Sequence, residues 1–160
     1  MNTKNLIRWA GLSAMVAGIC FVVVGLLHPP NILSSVSTSQ WVIVHAVAIA
    51  MSLFGLPGIT GVYARQAHAA GWLGLAGYLL FSFWLVLIFA FTFFEVFVLP
   101  LLATTAPTFA AGFLGIFTGS AEMNFGVLAA LWGLSDALFA LGGLVFGIAT
   151  FRARILPRWA

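Results

Sequence analysis

Apolar residues in this chain gather into long runs separated by short polar breaks. Four runs stand out, at residues 9–27, 41–63, 72–99 and 125–151. About 20 consecutive apolar residues cross the hydrocarbon core of a bilayer as a helix, so each run predicts a transmembrane helix. The third, WLGLAGYLLFSFWLVLIFAFTFFEVFVL, holds one formally charged residue, Glu95. At the helical rise it would span roughly 42 Å against a core of about 30 Å, which predicts a tilted helix or an end clear of the lipid.

The breaks carry their own signals. His28-Pro29-Pro30 closes the first run, and a polar, uncharged loop continues to Gln40. A basic start followed by an apolar stretch also fits a secretory signal peptide. No small-x-small cleavage site follows the run, and Ile19 before Cys20 spoils a lipoprotein-type site, so a retained helix is expected. Pro57, between Gly55 and Gly58, predicts a kink in the second helix, because proline removes a backbone hydrogen bond. Arg65, Gln66 and His68 read as a short turn into the third helix. Residues 101–124 contain TTAPT and TGSAEMN, which read as loop, around FAAGFLGIF, which is apolar but too short to span. An interfacial or re-entrant segment is expected there.

Composition narrows the class. Charged residues make up 6% of the 160 and hydrophobic residues 63%; soluble domains carry about 25% charged residues, so a soluble fold is excluded. The net charge of +3 does not indicate nucleic acid, because the basic residues sit at segment ends and form no patch. Cys20, the only cysteine, makes no intrachain disulfide and reads as a packing residue. Lys4, Arg8, Arg65, Arg152, Arg154 and Arg158 fall on one side of a four-span arrangement, and loops 28–40 and 100–124 hold no Lys or Arg. The positive-inside rule then puts both termini in the cytoplasm. The expected fold is an all-α bundle of four transmembrane helices in one integral membrane domain, 1–160.

A weak internal repeat relates residues 53–58 (LFGLPG) to 138–143 (LFALGG), and residues 9–12 to 72–75. Two hairpins of like orientation are one explanation; chance similarity among apolar helices is the other. Small residues let helices approach in lipid, and three lines of them stand out. The fourth run has Ala129, Gly133, Asp136, Ala140, Gly143 and Gly147 on one face, which predicts that Asp136 faces the bundle interior. The second has His45, Ala48, Ser52 and Gly55; the first has Gly11, Ala14, Gly18 and Gly25. Gly143 and Gly147 also fit a dimer contact.

A charge at the bilayer centre costs on the order of 2.5–3.5 kcal/mol, so each intramembrane polar group calls for a reason. His45 and Glu95 are expected at similar depth near the outer ends of their helices, Asp136 roughly 15 Å into the fourth, and His28 at the outer end of the first. Structural pairing of His45 with Glu95 is one explanation. The other is an outward-facing, mostly apolar ligand pocket with His45, Glu95 and Asp136 as polar anchors and Trp41, Trp84 and Trp132, with Phe81 and Phe91, as lining. Haem would need axial ligands such as His28 and His45, but His28 precedes Pro-Pro at a helix end. The four groups are also the ligand types of a metal site, but no two have a local ligand spacing. No phosphate loop, nucleophile elbow or Cys-x-x-Cys occurs. The residues thus name no cofactor.

Arg8-Trp9-Ala10-Gly11-Leu12 near the start and Gly147-Ile148-Ala149-Thr150-Phe151-Arg152 near the end resemble uncharacterised small four-span membrane proteins of bacteria. The resemblance is one of layout; it implies the bacterial inner membrane and no particular chemistry. A non-enzymatic membrane protein is the leading expectation: it binds a hydrophobic small molecule or cofactor, or serves as an accessory subunit or homo-oligomer. An intramembrane acid/base or metal-dependent enzyme acting on a lipid, and a small proton-coupled transporter built on Asp136, are the alternatives.

Overall fold

The computed structural model describes residues 3–156, which are helical or in short connections. Six helices follow in order: α1 Thr3–Leu27, α2 Leu33–Val36, α3 Ser39–Phe97, α4 Leu99–Thr105, α5 Pro107–Thr118 and α6 Val127–Ala153. Three of them, α1, α3 and α6, are long and apolar enough to cross a membrane. Of the basic residues used for orientation, Arg158 and the side chain of Lys4 lie outside the described residues.

The 59 residues of α3 do not form one rod. Gly71 has φ 57° and ψ −152°, a backbone region open essentially to glycine alone, and it breaks the helix there. Residues 39–70 and 72–97 then fold back on each other. Thr60 meets Tyr78, Leu85 lies over Gly55, and Trp41 reaches Glu95, so the pairs step evenly away from Gly71. The turn is therefore later and tighter than the Arg65–His68 segment that the sequence suggests. Gln66 is instead a buried helical residue, and its Nε2 donates to Thr150 Oγ1 at 2.6 Å. Helical dihedrals also continue through Pro57; the one non-helical residue inside α3 is Gly71.

Local chemistry sets the other boundaries. The Thr38 side chain accepts from the Trp41 N–H and caps α3. Pro107 stands at the start of α5, where its missing N–H costs nothing. Gly119, with φ 71°, ends α5 in the left-handed region. The segment expected to be interfacial is thus two helices, α4 and α5. Ala110, Phe113 and Leu114 on α5 pack with Val36, Trp41 and Leu99 into an apolar core at the Glu95 end of the bundle.

α1 runs antiparallel to the first arm of α3, and α6 antiparallel to the second. The closest approaches are made through glycine. A Cβ on Gly58 would lie 2.8 Å from the Ala14 backbone, and one on Gly142 would lie 2.7 Å from the Phe81 backbone. Gly61 abuts Ala10 and Gly77 abuts the backbone of Phe146 in the same way. The start of α1, the Gly71 turn and the end of α6 therefore share one end of the bundle, which also carries Arg8, Arg65, Arg152 and Arg154. Large apolar side chains such as Trp72, Leu26 and Phe151 point outward, as expected where lipid is the solvent.

Two of the three small-residue lines fall differently from expectation. The His45, Ala48, Ser52, Gly55 line is buried throughout. On α6 the buried residues are Ser135, Gly142 and Ala149, one position away from the expected stripe. Asp136 is exposed, as are Gly133 and Gly147, which have open space around them. On α1 it is Ala10 and Ala14 that touch α3, while Gly11, Gly18 and Gly25 have nothing within contact distance.

Candidate functional site

α3 starts at Ser39, which puts Trp41 and His45 one turn apart on its buried face. Trp41 is fully buried, and its Nε1–H donates to the backbone carbonyl of Glu95 at 3.0 Å. This bond staples the two arms of α3 together at their open end. The His45 ring stacks on the Trp41 indole, with centroids 4.0 Å apart, and its Nδ1 lies 2.8 Å from the Trp41 carbonyl. A carbonyl only accepts, so Nδ1 carries the hydrogen and donates it. His45 Nε2 is then turned toward the second arm, 3.6 Å from Glu95 Oε2. That is too long for a hydrogen bond, and Nε2 has no other partner among the described residues.

Glu95 and Thr92 share a buried face of the second arm; Thr92 Oγ1 donates to the Ile88 carbonyl at 2.6 Å, which leaves the carboxylate as the face's free polar group. His28 approaches from the end of α1. Its ring centroid is 4.9 Å from that of His45, and its Nδ1 donates to the Pro29 carbonyl at 2.7 Å. Gln40 Nε2 donates to the Leu27 carbonyl and holds this junction to α3. Burial of the ring holds the His28 pKa below 6.5, and the neighbouring His45 lowers it further; the bond to Pro29 and the Glu95 carboxylate act in the opposite sense.

These groups head a cavity of about 340 Å³. His28, Asn31, His45, Thr92 and Glu95 supply its polar wall, and Trp84, Phe91, Phe117 and Trp132 its aromatic one. Trp132 meets Phe91 and Phe117 edge to face, at 5.4 and 4.7 Å between centroids, so the aromatic wall is itself a packed unit. A second, apolar chamber of about 310 Å³ continues toward Gly71. Phe21, Met51 and Trp84 line both chambers. α1 and α6 each pack along α3 but not along each other, so a seam is left between them over the apolar chamber. Phe21 and Phe139 stack across that seam with centroids 5.9 Å apart.

The structure thus brings together His45, Glu95, Trp84 and Trp132 around one cavity and sets Trp41 directly behind His45. It does not bring Asp136 there; the carboxylate lies on the exposed face of α6. His28 and Asn31 join the polar wall from a loop, where no helical periodicity could have placed them. Among the described residues, no group of three or more His, Cys, Asp or Glu side chains is placed to hold a metal ion. No family model, curated protein or solved structure matches this chain.

Proposed function

We propose that this chain is a four-span protein of the bacterial inner membrane, with both termini cytoplasmic, that binds a hydrophobic small molecule without transforming it. The break at Gly71 supports two spans within α3, because a straight helix of 59 residues would run roughly 90 Å, about three times the hydrocarbon core. The arginines at the Gly71 end support a cytoplasmic placement for that end, and the cavity then opens toward the outer face.

The observation that carries the ligand-binding function is the cavity itself. It joins a small set of buried polar groups to a larger apolar volume, which is the usual make-up of a small-molecule site. Purification from native membranes, organic extraction and mass spectrometry provide the test. A bound compound is expected at near one per chain, and Trp132→Ala with Trp84→Ala should reduce it several-fold. Equal amounts of the same lipids in both preparations would count against a specific site.

A second function, as accessory subunit or homo-oligomer, is favoured by α6. Its outer face presents Gly133, Asp136 and Gly147 with no protein against them. A carboxylate facing lipid costs on the order of 2.5–3.5 kcal/mol, and a neighbouring helix would remove that cost. Cross-linking from Ala140→Cys should trap a partner, and Asp136→Leu should reduce the yield. Only monomer in native membranes would remove this second function.

A further inference from the structure

We infer that the outward face of α6 docks a membrane-spanning helix of a different protein, one that carries a lysine or arginine near the middle of its span to pair with Asp136. The inference rests on the second function proposed above and adds the chemistry of the partner. Asp136 lies roughly 14 Å along the axis from Val127 and roughly 24 Å from Arg152, inside the apolar part of α6. Contacts fix its depth in the bundle. Phe91 meets Trp132, Phe81 lies on Gly142 and Gly77 on Phe146, so the second arm of α3 and α6 run past each other in constant register. That register sets Asp136 level with Leu87, about 12 Å deeper than Glu95. At that depth the Asp136 side chain is exposed. Among the described residues it has no ion pair; the one such contact joins His45 to Glu95. A carboxyl group in hydrocarbon needs a cation or hydrogen-bond donors, and lipid tails offer neither.

The surface below Asp136 suits a helix. Ala140, Gly143 and Gly147 follow it on the same face. A Cβ at Gly147 would meet nothing, and an open groove of about 380 Å³ runs over Gly143, Leu144, Gly147 and Ile148. Such a groove lets a second backbone come close, which brings a basic side chain within reach of the carboxyl group. A second copy of this chain does not supply that side chain. Copies inserted in the same sense meet one another at equal depth. Among the described residues, Arg8, Arg65, His68, Arg152 and Arg154 lie toward the Gly71 end, and His28 and His45 lie level with Glu95. Two copies joined through α6 would set Asp136 against Asp136. Charge complementarity therefore calls for a different chain.

Synthetic helices provide the test. Leucine–alanine peptides of roughly 20 residues span a bilayer, and they are made with lysine, leucine or aspartate at the centre. Each carries an acceptor dye and is mixed with the donor-labelled full chain in vesicles of neutral lipid; energy transfer reads association at equal peptide density. The lysine helix is expected to bind roughly tenfold tighter than the leucine helix. Asp136→Asn should remove that preference and leave the leucine helix unchanged. Asp136→Lys should invert it, so that the aspartate helix binds best. Gly147→Leu, which keeps the carboxyl group, should weaken the lysine helix several-fold by filling the groove. Equal binding of the lysine and leucine helices, or a preference that survives Asp136→Asn, would overturn the inference and leave α6 as an interface. A homo-oligomer of the unaltered chain that Asp136→Leu disperses would do the same. If no helix associates and the chain stays monomeric, the α6 interface goes as well.

Discussion

The two ends of the bundle are built on opposite principles. At the Gly71 end the helices meet in close contact, Gly61 on the Cβ of Ala10 and Gly77 on the backbone of Phe146, with Gln66 and Thr150 tying α3 to α6. At the Glu95 end the same helices stand apart, and their glycines face empty space: Gly18 lines the apolar chamber and Gly25 the polar-walled one. There, α2, α4 and α5 supply the apolar core that close helix contact supplies elsewhere. Glycine therefore does two unrelated jobs in this fold: Gly61 and Gly77 let helices touch, while Gly18 and Gly25 leave room beside the chambers. A residue type common enough to occur 17 times carries no label saying which job it does.

The largest test of this contrast is at the open end. His45→Leu leaves Glu95 buried beside an apolar group, and losing one member of a buried pair costs about 3–5 kcal/mol. The double change His45→Leu, Glu95→Leu should be less destabilising than His45→Leu alone. Thermal midpoints in detergent read both, and a double variant no better than the single one would mean the pair is not a unit.

Next in size is a comparison between the two ends through glycine. Gly77→Leu drives a side chain into the Phe146 backbone and should cost about 3 kcal/mol. Gly18→Ala meets nothing and should be neutral or stabilising by up to about 1 kcal/mol through helix propensity. Similar midpoints for the two variants would erase the distinction drawn between the ends.

The smallest expected effect is a pH dependence from His28. Its folded pKa lies below 6.5, so the unfolded chain binds more protons between the two values. Stability from this group is complete above 6.5 and declines as pH falls through that value toward the folded pKa. His28→Asn should flatten that part of the midpoint-against-pH curve between pH about 8 and about 5. An unchanged curve would place the ring in water rather than against His45.

Much of the helical layout was legible in the residues, because lipid-facing helices announce themselves by length and lack of charge. The first, third and last helices end within a few residues of the apolar runs that predict them. The reversal at Gly71 was not legible: polar Arg65, Gln66 and His68 look like loop, but a buried hydrogen bond to Thr150 keeps Gln66 helical. His45 and Glu95 could be matched by depth alone, and they do lie together. Asp136 was misplaced because α6 carries small residues on more than one face. Ser135, Gly142 and Ala149 recur every seven residues and make the contact, one position from the more conspicuous stripe. TTAPT looks like a break, so the end of α4 gives no helical signal, whereas Pro107 opens α5 over the short apolar FAAGFLGIF run expected to be interfacial or re-entrant.

The single-residue reversal at Gly71 also bears on how this protein is made. With no slack between residues 39–70 and 72–97, the first arm has no loop to wait on while the ribosome finishes the second. On the four-span arrangement proposed above, the pair should leave the insertion machinery together as a helical hairpin, with Trp41 reaching Glu95 only when the last turn has emerged.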